Sequence, residues 1–199
     1  MTISLVKGQK IDLTKTNAGL TNLIVGLGWD PAQSTKKGLF GFKKAAPNID
    51  CDASALLLDA NGKLTKNENL VCFYNKQSAC SSVVHSGDNL TGEGDGDDEQ
   101  IFVDLTKVPS DVHKILMVVN IYQCESRGQD FGMIERAYIR AVNKANNQEL
   151  VRFNLSDDYS GKTALIVAEI YRHNGEWKFN AIGEGDHAAH VDKLAAKYK

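Results

Sequence analysis

The sequence has no apolar run near the length of a membrane-spanning helix, which takes about 20 residues. Met1-Thr2-Ile3-Ser4-Leu5 lacks the charged start and apolar core of a signal peptide, so the expected location is cytoplasmic. Four cysteines, Cys51, Cys72, Cys80 and Cys124, show no C-x-x-C spacing, which argues against a redox pair or a thiolate zinc site. Reduced thiols are the default, and Cys51 and Cys72, in strand-like runs, read as small buried residues. Ser54, Ser81 and Ser160 lie in no G-x-S-x-G elbow, and His85, His113 and His173 have no nucleophile partner pattern. A net charge of −2 gives no global argument for nucleic acid. No internal repeat or interdomain linker stands out, so residues 1–199 are expected to form one domain with a sizeable core.

One absence is local. From Gln77 to Thr106 there is no Lys or Arg but there are seven acids, leaving +5 for the remainder. Within that span, Gly87-Asp88-Asn89-Leu90-Thr91-Gly92-Glu93-Gly94-Asp95-Gly96-Asp97-Asp98-Glu99 packs six carboxylates and four glycines into thirteen residues. Like charges this close repel, so the run does not fold compactly unaided. Glycines allow positive φ and can turn carbonyl oxygens inward. Ca²⁺ takes six to eight oxygen ligands of this carboxylate, amide and carbonyl mix, so a calcium-binding loop is expected. The plain alternative is a solvated acidic linker. Against it, the run passes directly into Gln100-Ile101-Phe102-Val103-Asp104-Leu105, an alternating strand that anchors it. The pattern is not an EF-hand, because positions three and five counted from Asp88 are Leu90 and Gly92. Nor is Gly92-Glu93-Gly94-Asp95-Gly96 a phosphate loop: it lacks the closing Gly-Lys-Ser/Thr, and its charge repels phosphate. The acids are too clustered to suggest one catalytic acid and one base, so there is no positive case for an enzyme.

Strand signals dominate elsewhere. Alternation predicts strands over 20–29, 50–60, 70–74, 83–85, 101–105, 114–122, 131–143, 149–155, 163–173 and 176–182. The run 114–122 is apolar on both faces, as a central strand between packed layers would be. His173-Asn174-Gly175-Glu176 predicts a two-residue type I′ hairpin. Few helical stretches separate the strands. The fold expected is therefore mainly all-β, a β-sandwich of two mostly antiparallel sheets with a few short helices. His187 to Lys199 carries an amphipathic stripe of Val191, Leu194, Ala195 and Tyr198 and predicts a C-terminal helix. His187 and His190 fall at i, i+3 on it and read as solvated helix histidines rather than metal ligands. Pro31 to Pro47 is a basic loop with two phenylalanines, read as a surface insertion. Asp30, Asp50 and Asp52 flank apolar strands; taken singly each is a turn or strand-end acid. If these ends meet the acidic loop, the carboxylates converge on one edge of the sandwich, and an ion reverses their mutual repulsion.

These segments also resemble a known family. Gly26-Leu27-Gly28-Trp29-Asp30, Asp50-Cys51-Asp52-Ala53-Ser54-Ala55, the acidic run 87–99, Phe131-Gly132 with Ala137-Tyr138-Ile139-Arg140, and Glu169-Ile170-Tyr171-Arg172 with Glu176-Trp177-Lys178-Phe179 stand in the order of the TerD family of bacterial tellurium-resistance and stress-response proteins. The resemblance runs over nearly the whole chain. It implies a two-sheet sandwich, calcium as cofactor, and no chemical reaction. It implies the metal ligands Asp88, Asn89, Asp95, Asp97, Asp98 and Glu99 in the central loop, with Asp30, Asp50 and Asp52 from the other two motifs. Backbone oxygens near Gly92 and Gly96 are further candidates. It implies association with resistance to tellurite, phage and pore-forming toxins, and partners among other tellurium-resistance proteins in an assembly at the inner membrane face. The chain departs from the family pattern where Cys51 replaces a usual leucine, where the loop from Thr35 to Pro47 is longer, and where residues 183–187 lack a usual aromatic. Two other functions stay open at this point: an acidic interaction scaffold working without metal, and a thiol-dependent enzyme acting on an oxyanion.

Overall fold

The computed structural model describes residues 2–31, 49–87 and 96–199. Beyond Pro31 the basic loop, including Thr35 to Pro47, lies outside the described residues, as do Asp88, Asn89, Gly92 and Asp95. Among the described residues, twelve strands form two six-stranded sheets. They are β1 (Ile3–Leu5), β2 (Lys10–Asp12), β3 (Asn22–Pro31), β4 (Cys51–Leu58), β5 (Leu70–Val71), β6 (Val83–His85), β7 (Glu99–Asp104), β8 (Lys114–Ile121), β9 (Ile134–Asn143), β10 (Gln148–Asn154), β11 (Ala164–His173) and β12 (Glu176–Asp186). The first sheet runs β1-β10-β9-β3-β7-β6 and the second β2-β12-β11-β8-β4-β5. Every pairing is antiparallel except β1 with β10. No helix of the described residues is long and apolar enough to cross a membrane.

Alternation explains the layers. Leu23, Val25 and Leu27 of β3, Ile101 and Val103 of β7, and Ile115, Met117, Val119 and Ile121 of β8 bury in one core between the sheets. Alternate residues of the second sheet, Leu56 and Leu58 of β4 with Leu116 and Val118 of β8, fill a second core on its other face. The short helix α2 (Val191–Ala195) covers that face with Val191, Leu194 and Ala195. The doubly apolar strand 114–122 is therefore central, flanked by β11 and β4, with packed material on both faces.

The 173–176 hairpin forms as expected: His173 pairs Glu176, and Asn174 and Gly175 both take positive φ, at 52° and 79°. Several expectations shift. The strand read over 131–143 begins at Ile134, because Phe131–Met133 is a 3-10 turn whose start is capped by the Asp130 carboxylate. The C-terminal helix is shorter than its stripe: Val191–Ala195, then a 3-10 turn over Ala196–Tyr198. His187 and His190 do not share a helix face. His190 is the N-cap, accepting from the Asp192 N–H, and His187 precedes it beside Lys162. The edge strands β1 and β2 and the single turn α1 (Cys124–Arg127) carried too few residues for periodicity to show.

Candidate metal centre

The candidate site is built where β3 ends and β7 begins in the first sheet, beside the start of β4 in the second. The final three acids of the acidic run leave it in three directions. Asp97 lies over the face of the first sheet that points away from the core. Gly26 pairs Gln100 on one side and Arg140 on the other, so these three residues form a row across β7, β3 and β9. The Asp97 carboxylate sits in the gap that Gly26 leaves; a Cβ there would overlap it. Arg140 grips it with Nε to Oδ1 at 2.7 Å and Nη2 to Oδ2 at 3.1 Å, and Gln100 Nε2 donates to Oδ2 at 3.1 Å. The Tyr138 hydroxyl reaches Gly96 O at 2.6 Å and Asp97 Oδ1 at 3.1 Å. One step along the sheet, Gly28 pairs Tyr138, and a Cβ at Gly28 would stand 2.5 Å from that ring. The two glycines of Gly26-Leu27-Gly28-Trp29-Asp30 thus make room for a carboxylate and a phenol.

Asp98 continues the ladder instead. Its N–H donates to Leu27 O at 2.8 Å, and its Oδ2 accepts the Trp29 N–H at 2.8 Å. Burial pushes its carboxyl up; the Trp29 bond opposes this, and the charges of Asp30 and Asp97 add to it.

Glu99 turns inward, between the sheets, and is 1% exposed. It meets β4 at the start of that strand, ahead of the Ala55–Val71 pairing with β5. There the Ala53 N–H donates to Glu99 Oε2, and the Ala53 carbonyl accepts from His85 Nε2 at 3.1 Å. Two side chains of the first sheet therefore satisfy the backbone of the second where, among the described residues, no strand pairs with that edge of β4 at Ala53. The Gly87 N–H donates to His85 Nδ1 at 3.1 Å, so the proton sits on Nε2 and the neutral ring fills both roles. Sequence reading found no use for His85; no periodic signal marks a side chain that substitutes for a strand.

Asp50 and Asp52 are 6% and 3% exposed at the start of β4. The Asp50 carbonyl takes the Tyr122 N–H at 2.8 Å, and Asn120 Nδ2 donates to Asp52 Oδ2 at 3.3 Å. Between them Cys51 is buried, and its thiol is pushed well up, first by burial and then by Glu99, Asp52, Asp50 and Asp98. The charges of Glu99, Asp52, Asp50 and Asp98 thus reach the Cys51 thiol, but Asp52, beside Asn120, alternates with Cys51 and Ala53 and so lies on the opposite face of β4 from the inward-turned Glu99. Asp30 shares a cleft with Asp98, but its Oδ2 pairs Arg136 Nε at 2.7 Å, where a bulge in β9 holds Arg136 at φ 54°. A polar cleft of about 410 Å³ opens here, lined by Trp29, Asp30, Gly96, Asp98, Arg136, Tyr138, Arg140 and Arg152.

The donor set fits a hard cation. Its atoms are carboxylate, amide and carbonyl oxygens, several are buried, and among the described residues the Asn120 Oδ1 has no hydrogen-bond partner. Among the described residues, no group of three or more His, Cys, Asp or Glu side chains is arranged to hold an ion by itself. Arg140, Tyr138, Gln100 and Asn120 were not expected as site residues. The first two lie in a segment that the sequence reading noted without giving them a role.

Comparison with known proteins matches this architecture. The TerD domain model covers residues 1–198. The chain is 54% identical over 200 residues to stress response protein SCP2 of Bacillus subtilis (strain 168), covering all of both chains. It is 45% identical to tellurium resistance protein TerD of Alcaligenes sp over 198 residues, covering 100% of this chain and 97% of that one. A crystal structure of a homologue of telluride resistance protein (TerD) from Streptomyces coelicolor A3(2) shares the fold, with a TM-score of 0.66 at 22% identity over 91% of this chain and 99% of that one. The chain belongs to the TerD family.

Proposed function

We propose that this protein is a calcium-binding, non-enzymatic stress-response module of the cytoplasm. What supports the reading is the acidic run itself, six carboxylates in thirteen residues, whose last two, Asp98 and Glu99, reach the sheet ends near the start of β4, where Asp50 and Asp52 are buried. Held together, such carboxylates resist ionisation; a divalent cation removes that cost and is itself the largest charge in the site. Asp98, Glu99, Asp50 and Asp52 would supply oxygens to it, with the acidic run 87–96 completing the shell. Calcium supplies charge and cross-linking rather than bond chemistry. Bound across the sheet ends, it would fix the shape of that edge as a surface for other proteins of the tellurium-resistance group, in an assembly at the inner membrane face. The relatives' names, stress response and tellurium resistance, support the physiological setting.

Calorimetric titration tests the reading. A ligand that binds only the folded form adds about 2.7 kcal/mol at 100 times its Kd, so the Tm should rise with calcium and fall with chelator. Asp98→Asn should lower the affinity. An interaction scaffold working without metal would melt at the same temperature with calcium or chelator, and that result would remove calcium from the account.

A further inference from the structure

The family-like run ends in Asp97-Asp98-Glu99, and sequence reading treats all three as ligands. The geometry separates them. An ionised carboxylate has about four acceptor positions. For Asp97 these face Arg140 Nε, Arg140 Nη2, Gln100 Nε2 and the Tyr138 hydroxyl, whose proton is shared with Gly96 O. The side chain is 1% exposed and already has a fixed positive partner in a two-point contact. Arg140 is itself held, with Nη1 on Glu149 Oε2 at 3.0 Å. Gly26 supplies the floor of the slot. A carboxylate in that setting offers little to a metal, and a guanidinium beside it repels one.

We propose that Asp97 is a positioning residue and not a ligand: clamped by Arg140 over Gly26, it fixes the 96–99 turn so that Asp98 and Glu99 reach the ion. This rests on the calcium reading above and assigns roles within it. The clamp acts next to the ladder bond from Asp98 N–H to Leu27 O, so loosening it releases the strand end that carries both ligands.

The two assignments predict opposite signs. If Asp97 were a ligand masked by Arg140, Arg140→Gln would free it and tighten calcium binding. If Asp97 is an anchor, Arg140→Gln weakens binding, by roughly 10–100-fold as for residues that orient metal ligands. Asp97→Asn should then weaken it to a similar degree, and the double variant no further than either single one. Tyr138→Phe removes one hydroxyl, keeps the ring over Gly28, and should give a smaller loss in the same direction. It also serves if the charge variants fail to fold. Calorimetry on the full chain reads affinity of the folded protein, which a residue that only stabilises the fold would leave unchanged. Tightened or unchanged calcium affinity in Arg140→Gln, or in Tyr138→Phe if that variant alone folds, overturns the proposal. If the wild-type protein takes up no calcium, the calcium reading falls and the anchor is judged on the metal-free protein. Hydrogen exchange at the Asp98 amide should then be at least tenfold faster in Arg140→Gln or Tyr138→Phe, and unchanged exchange overturns the anchor too.

Discussion

Gly26 and Gly28 show how a motif can be explained by what it leaves out. Neither has positive φ, so conformational freedom is not their purpose. Each gives up a side chain so that another can lie flat on the sheet: the Asp97 carboxylate over Gly26 and the Tyr138 ring over Gly28. Arg152 then stacks on the far side of that ring, with its guanidinium 3.6 Å from the centroid. Burial and Asp97 together push the Tyr138 hydroxyl up to about 12, so it stays protonated and donating at neutral pH. Gly26→Ala should therefore do more than crowd the strand. The added methyl displaces Asp97 and leaves Arg140 without its main partner, which should cost at least about 2 kcal/mol. Urea unfolding measures this, and a loss within about 0.5 kcal/mol of zero, the range of an ordinary surface change, would show that the slot is not tight.

At the scale of elements, period-two alternation made the long strands and the central position of β8 legible, because burial on one or both faces leaves a direct mark in sequence. The acidic segment stood out from charge alone, since six acids in thirteen residues need an explanation. What was not legible was direction. Asp97, Asp98 and Glu99 read as one cluster, yet one lies on the outer face, one along the ladder and one between the sheets. That division depends on Gly26, Arg140 and Ala53, which are far away in sequence and carry no periodic signal. The C-terminal helix shows the same limit. Its apolar stripe predicted a helix from residue 187, but an acid just outside the stripe fixes where it sits. Asp186, at the end of β12, takes the Ala188 N–H at 2.8 Å and the Lys197 ammonium. Burial raises its carboxyl, but these two partners outweigh burial and leave it below the usual range. A lowered folded value means the pair stabilises above the ordinary carboxylate pKa and is lost as pH falls through the folded one. Lys197 is half exposed, so the pair contributes below about 1 kcal/mol. Lys197→Met should lower the Tm by about 1–3 °C at pH 7, with the gap closing as pH falls below the ordinary carboxylate range. A gap that stays constant across pH would assign the effect to the alkyl chain rather than the charge.

For the whole molecule, the charge is divided unevenly: −7 between Gln77 and Thr106, +5 over the rest, and −2 in total. Two opposing effects follow, and distance decides between them. Neighbouring acids within the segment sit close, where two charges 6 Å apart cost about 0.7 kcal/mol even in water. Arg140 already faces Asp97 at 2.7 Å and Lys107 faces Asp104 at 3.2 Å, while attraction from more distant bases is screened beyond about 10 Å at 0.1 M salt. Repulsion inside the segment should therefore dominate in the metal-free protein. With chelator present, raising NaCl from about 0.05 to about 0.5 M should increase the Tm by several degrees, since the added salt shortens screening to the spacing of the acids themselves. With calcium bound, the same acids are already neutralised, and the salt effect should shrink or vanish. A Tm that falls with salt in chelator would mean that basic residues of this chain hold more of the acidic segment than the Arg140–Asp97 and Lys107–Asp104 pairs do. The cation would then be displacing an internal partner, and its affinity would rise with ionic strength instead of falling.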